Sequence, residues 1–148
     1  MRSLRRRTLT TAIGTLVAAL ALTACTSGNG GYAIFDREAT AADQPPQEIL
    51  DQMSEGDSDG GRPDAQTARL AGTYDGVSLW LVKAVAPGYV CLIADAHDEA
   101  DWIAGCAMGF GGVSAPGVGT FDFHPGDQEL PSNGTAISEN VYVLHGLD

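Results

Sequence analysis

The run Val77 to Val85, VSLWLVKAV, most constrains what this chain can fold into. Read as a strand, it puts Val77, Leu79, Leu81 and Val85 on one face and Ser78, Trp80, Val82 and Ala84 on the other. Both faces are largely apolar, so the strand must be central and covered on two sides. Asp75-Gly76 separates it from RLAGTY (Arg69–Tyr74), and Asp-Gly between apolar-rich runs predicts a hairpin. Ala86-Pro87-Gly88 is the next turn, and YVCLIA and WIAGCAMGF follow as a further strand pair. GGVSAPGVG reads as a glycine-rich loop. From Thr120 to His124, Phe121 and Phe123 alternate with Asp122, and His124-Pro125-Gly126-Asp127 fits a type II turn. NVYVLH closes the series. Five or six short strands predict a mainly β fold, a small antiparallel sandwich or barrel spanning residues 67–148.

The N-terminus follows different rules. MRSLRRR carries four arginines and no acid, and an apolar run follows from Ala12 to Leu22. Eleven residues cannot span a bilayer as a helix. A basic segment, a short apolar segment and small residues in that order predict an export signal, left out of the fold. The four residues Leu22-Thr23-Ala24-Cys25 resemble the lipobox of bacterial lipoprotein precursors. That resemblance implies a signal peptide over 1–24, cleavage before Cys25, and acylation of Cys25 with a diacylglyceryl group and chains such as palmitate. Two acyl chains on one residue suffice for stable anchoring, since each buried methylene contributes about 0.8 kcal/mol. The expected location is the extracytoplasmic face of the cell membrane, as an envelope or secreted lipoprotein. Arg6-Arg7-Thr8-Leu9 resembles the start of a twin-arginine signal but lacks the residues that usually follow the pair, so the export route stays open.

Removing residues 1–24 takes away four of eight basic residues and none of the nineteen acids, leaving a formal charge of −15. Such a surface repels nucleic acid and anionic lipid, which excludes nucleic-acid binding. The remaining 124 residues fit one domain. Its N-terminal part, 25–66, reads as a lipid-anchored segment and linker. TSGNG (Thr26–Gly30) is a flexible spacer and SEGDSDGGRP (Ser54–Pro63) an acidic linker. Between them Tyr32–Phe35 is expected to add a short strand. A short helix is expected over 46–53, with Ile49, Leu50 and Met53 on one face and a proline at its start.

With Cys25 lipidated, Cys91 and Cys106 remain as an even pair on adjacent predicted strands. In an oxidising compartment they are expected to form a disulfide across a hairpin, closing a loop of about 15 residues for roughly 3 kcal/mol. No CxxC occurs and the histidines number three, which argues against zinc, and a catalytic thiol would be oxidised by its partner. Asp95, Asp98, Glu99 and Asp101 are weak calcium candidates, because their spacing lacks the order of a calcium loop and a solvated acidic tip explains them as well. His97 reads as an exposed side chain rather than a ligand.

The remaining motifs are incomplete. GFGGVSAPGVG has no Gly-Lys-Ser/Thr, and Ser114 has Pro116 where a nucleophile elbow needs glycine. Asp122 and His124 are only sequence neighbours, and Trp80 and Trp102 suit core packing better than a sugar platform. The runs AIFDREATAADQPP, ARLAG, VCLI and Gly105-Cys106 resemble small lipoproteins of high-GC Gram-positive bacteria, a likeness that implies no particular activity. The expectation is therefore a non-catalytic binding or interaction module without cofactor, anchored through Cys25 and meeting an extracytoplasmic partner. A small-ligand or calcium-binding envelope protein is the alternative, and a small hydrolase the third choice.

Overall fold

The computed structural model describes residues 29–55, 61–97, 102–129 and 131–146. The fold is mainly β, with two four-stranded antiparallel sheets. The first is a meander of β1 (Arg69–Tyr74), β2 (Val77–Lys83), β3 (Tyr89–Asp95) and β4 (Trp102–Met108), side by side in chain order. The second holds β5 (Gly111–Ala115), β6 (Gly119–Phe123), β7 (Gly134–Ala136) and β8 (Val141–Leu144), in the order β5-β6-β8-β7. Among the described residues, one α-helix, α1 (Gln47–Glu55), precedes them.

Burial explains this arrangement. Val77, Leu79, Leu81, Val90, Leu92 and Ala94 project from the first sheet into a core shared with Val113, Phe121, Phe123, Val141 and Val143 of the second. The opposite face of the first sheet carries Trp80, Val82 and Ile93, which pack on Ile49 and Leu50 of α1. Met53 joins this contact, so the three apolar helix residues share one face. The order of layers is helix, sheet, sheet, and β2 and β3 are covered on both sides as their composition requires. Val85 is the exception: β2 ends at Lys83 and Val85 is 56 % exposed.

Turn chemistry aligns the meander. Asp75 and Gly76 both have positive φ, 47° and 82°, the type I′ geometry that matches strand twist. At the other end of β2, the Tyr89 N–H donates to the Ala86 carbonyl (3.4 Å) across Pro87-Gly88, with Gly88 at φ 83°.

Three expectations need correction. Tyr32–Phe35 adds no strand; Ala33–Asp36 is a 3-10 turn that drops Tyr32 and Phe35 into the inter-sheet core. The compact part, expected from Thr67, therefore includes residues well upstream. GGVSAPGVG is not a loop but β5, a turn and the start of β6. Its glycines supply room rather than flexibility: a Cβ on Gly112 would meet Asp122 Oδ1 at 2.2 Å, and one on Gly111 would meet the Phe123 ring at 2.8 Å. The turn expected at His124–Asp127 lies one residue later, where Gln128 N–H donates to Pro125 O (3.2 Å), and Gly126 is not among the residues with positive φ.

A buried ion pair ties the N-terminal segment down. Asp43 is 1 % exposed and accepts from Arg37 Nη1 (2.7 Å) and Nη2 (2.5 Å), Thr40 N–H (2.7 Å), Thr40 Oγ1 (2.9 Å) and Leu70 N–H of β1 (2.8 Å). The Arg37 hydrogen bonds lead in holding its carboxyl well below the usual carboxylate range, against the opposing effect of burial. A carboxylate with this many donors is a structural clamp.

Candidate functional site

Antiparallel register sorts the residues that bear chemistry to two ends of the first sheet. At one end lie the β1–β2 turn, the C-terminus of β3 and the N-terminus of β4. Ser78 stands opposite Asp95, and Asp95 opposite Trp102, so a hydroxyl, a carboxylate and an indole form a row across three strands. His97, with φ 66°, folds back over that row. Its backbone N–H donates to Asp95 Oδ1 (2.8 Å), its Nδ1 lies 3.3 Å from Asp95 Oδ2, and its Nε2 lies 2.9 Å from Ser78 Oγ. With the ring proton on Nδ1, facing the carboxylate, Nε2 is free to accept from the serine hydroxyl. This is the sequence of contacts in a serine–histidine–carboxylate relay. The same contacts also brace a left-handed residue at the end of β3, and Ser78 is only 7 % exposed.

Sequence reasoning missed this group. Asp95 and His97 are two apart, but Ser78 is nineteen residues away and enters only through the β2–β3 register. The calcium reading gains nothing here: both Asp95 oxygens already face His97, while Asp98, Glu99 and Asp101 lie outside the described residues. Among the described residues, no three His, Cys, Asp or Glu side chains gather to hold a metal ion.

The other end gathers the β2–β3 turn, the C-terminus of β4 and the start of the described chain. Asn29, Tyr32, Lys83, Pro87, Tyr89 and Gly109 line a concavity of about 390 Å³. Lys83 donates to the Asn29 side chain and sits 5.0 Å above the Phe35 ring. The Tyr32 hydroxyl donates to the Gly109 carbonyl, and burial pushes the Tyr32 phenol well above its ordinary range. The concavity is therefore a neutral-to-cationic pocket in an acidic chain.

Between the two ends, Cys91 and Cys106 face each other in the β3–β4 register and form a disulfide. Their Cα atoms are 3.9 Å apart. Cys91 Sγ and Cys106 Sγ lie 3.8 and 3.5 Å from the Gly61 carbonyl, which places the staple under the chain that returns from α1. Cys25 lies outside the described residues.

The other candidates are structural. Trp80 is buried against α1, and Trp102 packs partly buried beside it. Ser114 Oγ pairs with Thr120 Oγ1 (2.8 Å) on the exposed face of β5 and β6. His124 stacks on Tyr142 with ring centroids 4.4 Å apart, and its Nδ1 lies 2.7 Å from the Pro125 carbonyl. Partial burial raises the Asp122 carboxyl above its ordinary range, while the nearby His124 charge acts the other way. Among the described residues, no helix is long and apolar enough to cross a membrane. No family model matches the chain, and no curated protein or solved structure matches it either.

Proposed function

We propose that this chain is a lipid-anchored lipoprotein of the extracytoplasmic membrane face, and that its β domain is a non-catalytic module that binds an extracytoplasmic partner. The observation that carries the reading is the Cys91–Cys106 disulfide, since such bonds persist in oxidising compartments and are rare in the cytosol. The N-terminal order of four arginines, an eleven-residue apolar run and Cys25 supports the same location.

Mass spectrometry of protein extracted from membranes tests the reading. The expected product begins at an acylated Cys25, with Cys91 and Cys106 resisting alkylation until reduced. An intact residue 1, or thiols alkylated before reduction, overturns it.

A second reading, a small serine hydrolase, is favoured by the Ser78–His97–Asp95 contacts alone. In that case a fluorophosphonate labels the chain: Ser78 Oγ attacks phosphorus, fluoride leaves, and His97 Nε2 takes the proton. Ser78→Ala and His97→Ala must each abolish the label. An unlabelled wild-type chain removes this reading and leaves the first.

A further inference from the structure

We propose that Val85, Met108 and Phe110 form a membrane-docking tip, which enters the lipid interface and orients the domain with its opposite, acidic end pointing away. The proposal rests on the anchoring reading above and adds to it which surface meets the bilayer.

Among the described residues, the exposed large apolar side chains are Val85 (56 %), Met108 (63 %) and Phe110 (71 %). They come from two turns, β2–β3 for Val85 and β4–β5 for Met108 and Phe110, yet share one end of the first sheet. Val85 follows β2, Met108 ends β4 opposite Tyr89, and Phe110 stands beyond Gly109, where its N–H donates back to the Met108 carbonyl (3.1 Å). A Cβ on Gly88 would lie 3.8 Å from the Met108 sulfur, so the two turns are neighbours. The other large apolar side chains among the described residues are buried or partly buried, whereas these three stand outside, although burial is what drives the rest of the fold.

The reach of the anchor selects the occupant. Asn29 lines the same concavity as Pro87, Gly88 and Gly109. Cys25 is four residues upstream of Asn29, which bounds their Cα separation at about 14 Å for a fully extended chain. An acylated Cys25 thus keeps this end within reach of the headgroups. Charge agrees with that orientation. Of the four cations that follow Cys25, Arg37 is engaged by Asp43 and Arg69 by the Arg37 carbonyl. Lys83 and the exposed Arg62, whose carbonyl accepts from Val85 N–H (2.8 Å), stand beside the tip. Asp36, which accepts from Asn29, and Asp64, whose N–H donates to the Lys83 carbonyl (2.8 Å), are acids at the same end. Asp75 and Asp95 occupy the far end. Three side chains are too few to hold a protein on a membrane by themselves. The acyl chains hold it, and the tip sets its orientation.

The test uses the full acylated chain in vesicles of four parts phosphatidylcholine to one part phosphatidylglycerol. An environment-sensitive fluorophore is attached through F110C, through M108C as a second site, and through T73C at the far end. Flotation and an acylated mass establish anchoring first. Quenching by nitroxide-labelled lipid is expected to be at least twofold stronger at positions 108 and 110 than at 73. Anchored protein with equal quenching at all three sites overturns the docking tip while leaving the anchor intact. A chain that is not acylated and does not float overturns both. Concentration-dependent shielding of position 110 in lipid-free solution assigns the tip to a second copy of this chain, and likewise overturns the proposal.

Discussion

The outer faces of the two sheets differ more than anything else in the molecule. Trp80, Val82 and Ile93 on the outer face of the first sheet are buried beneath Ile49 and Leu50 of α1. On the second sheet, the outer face at β5 and β6 carries Ser114, Thr120 and Asp122, and Ser114 is exposed. Both sheets bury their inner faces in one shared core. The difference teaches that a nine-residue helix, too short to be stable alone, becomes part of the fold because a doubly apolar strand needs a second cover. In return, the helix and the Arg37–Asp43 clamp hold residues upstream of β1 on the domain.

The largest expected effect breaks the comparison on the covered side. Ile93→Ala removes a fully buried side chain between β3 and α1, and is expected to destabilise by about 2–5 kcal/mol, the range for deep aliphatic truncations. Urea unfolding followed by circular dichroism measures it. A change below about 1 kcal/mol would mean that α1 rests on the sheet without contributing to the core.

How legible this arrangement was in the sequence depended on what each element needed. VSLWLVKAV declared two apolar faces, and Asp75-Gly76 declared its own turn geometry, so the meander was readable. Ile49, Leu50 and Met53 declared the helix face. The second sheet was harder: β5 is GGVSA, whose glycines are there to let Asp122 and Phe123 approach, and in a sequence the same letters signal a loop. β7 has three residues, Gly134–Ala136, too few for any alternation. The Ser78–His97–Asp95 contacts were hidden for another reason, because a register is a long-range property that no local pattern announces. Tyr32 and Phe35 were legible as apolar but not as core, since their turn is set by what they pack on.

The next effect sharpens the role of the clamp. Asp43→Asn keeps the shape but loses the charge that holds two Arg37 nitrogens, and is expected to lower stability by about 2 kcal/mol at neutral pH. Arg37 is 43 % exposed, so the figure is already discounted for solvent screening. The sign of the pH dependence follows from the depressed Asp43 carboxyl. Its stabilising contribution is complete above the ordinary unfolded value of about 3.9. As pH falls below that, the unfolded chain takes a proton that the folded chain refuses, and the contribution declines. The gap between wild type and Asp43→Asn in urea midpoint should therefore be widest at neutral pH and narrow steadily below pH 4. A gap constant between pH 7 and pH 3 would show that Asp43 acts by shape alone.

The smallest expected effect completes the comparison on the open side. Ser114→Ala on β5 removes a hydroxyl that pairs with Thr120 Oγ1 at 2.8 Å where water competes for both partners. No apolar contact is lost and no buried group is orphaned, so the change should stay within about 0.5 kcal/mol of wild type. The same denaturation experiment reads it, beside Ile93→Ala on the opposite outer face. A loss approaching that of Ile93→Ala would mean that the second sheet's outer face is covered too, by another protein or a second copy. The binding surface would then lie on β5 and β6 rather than at the ends of the first sheet.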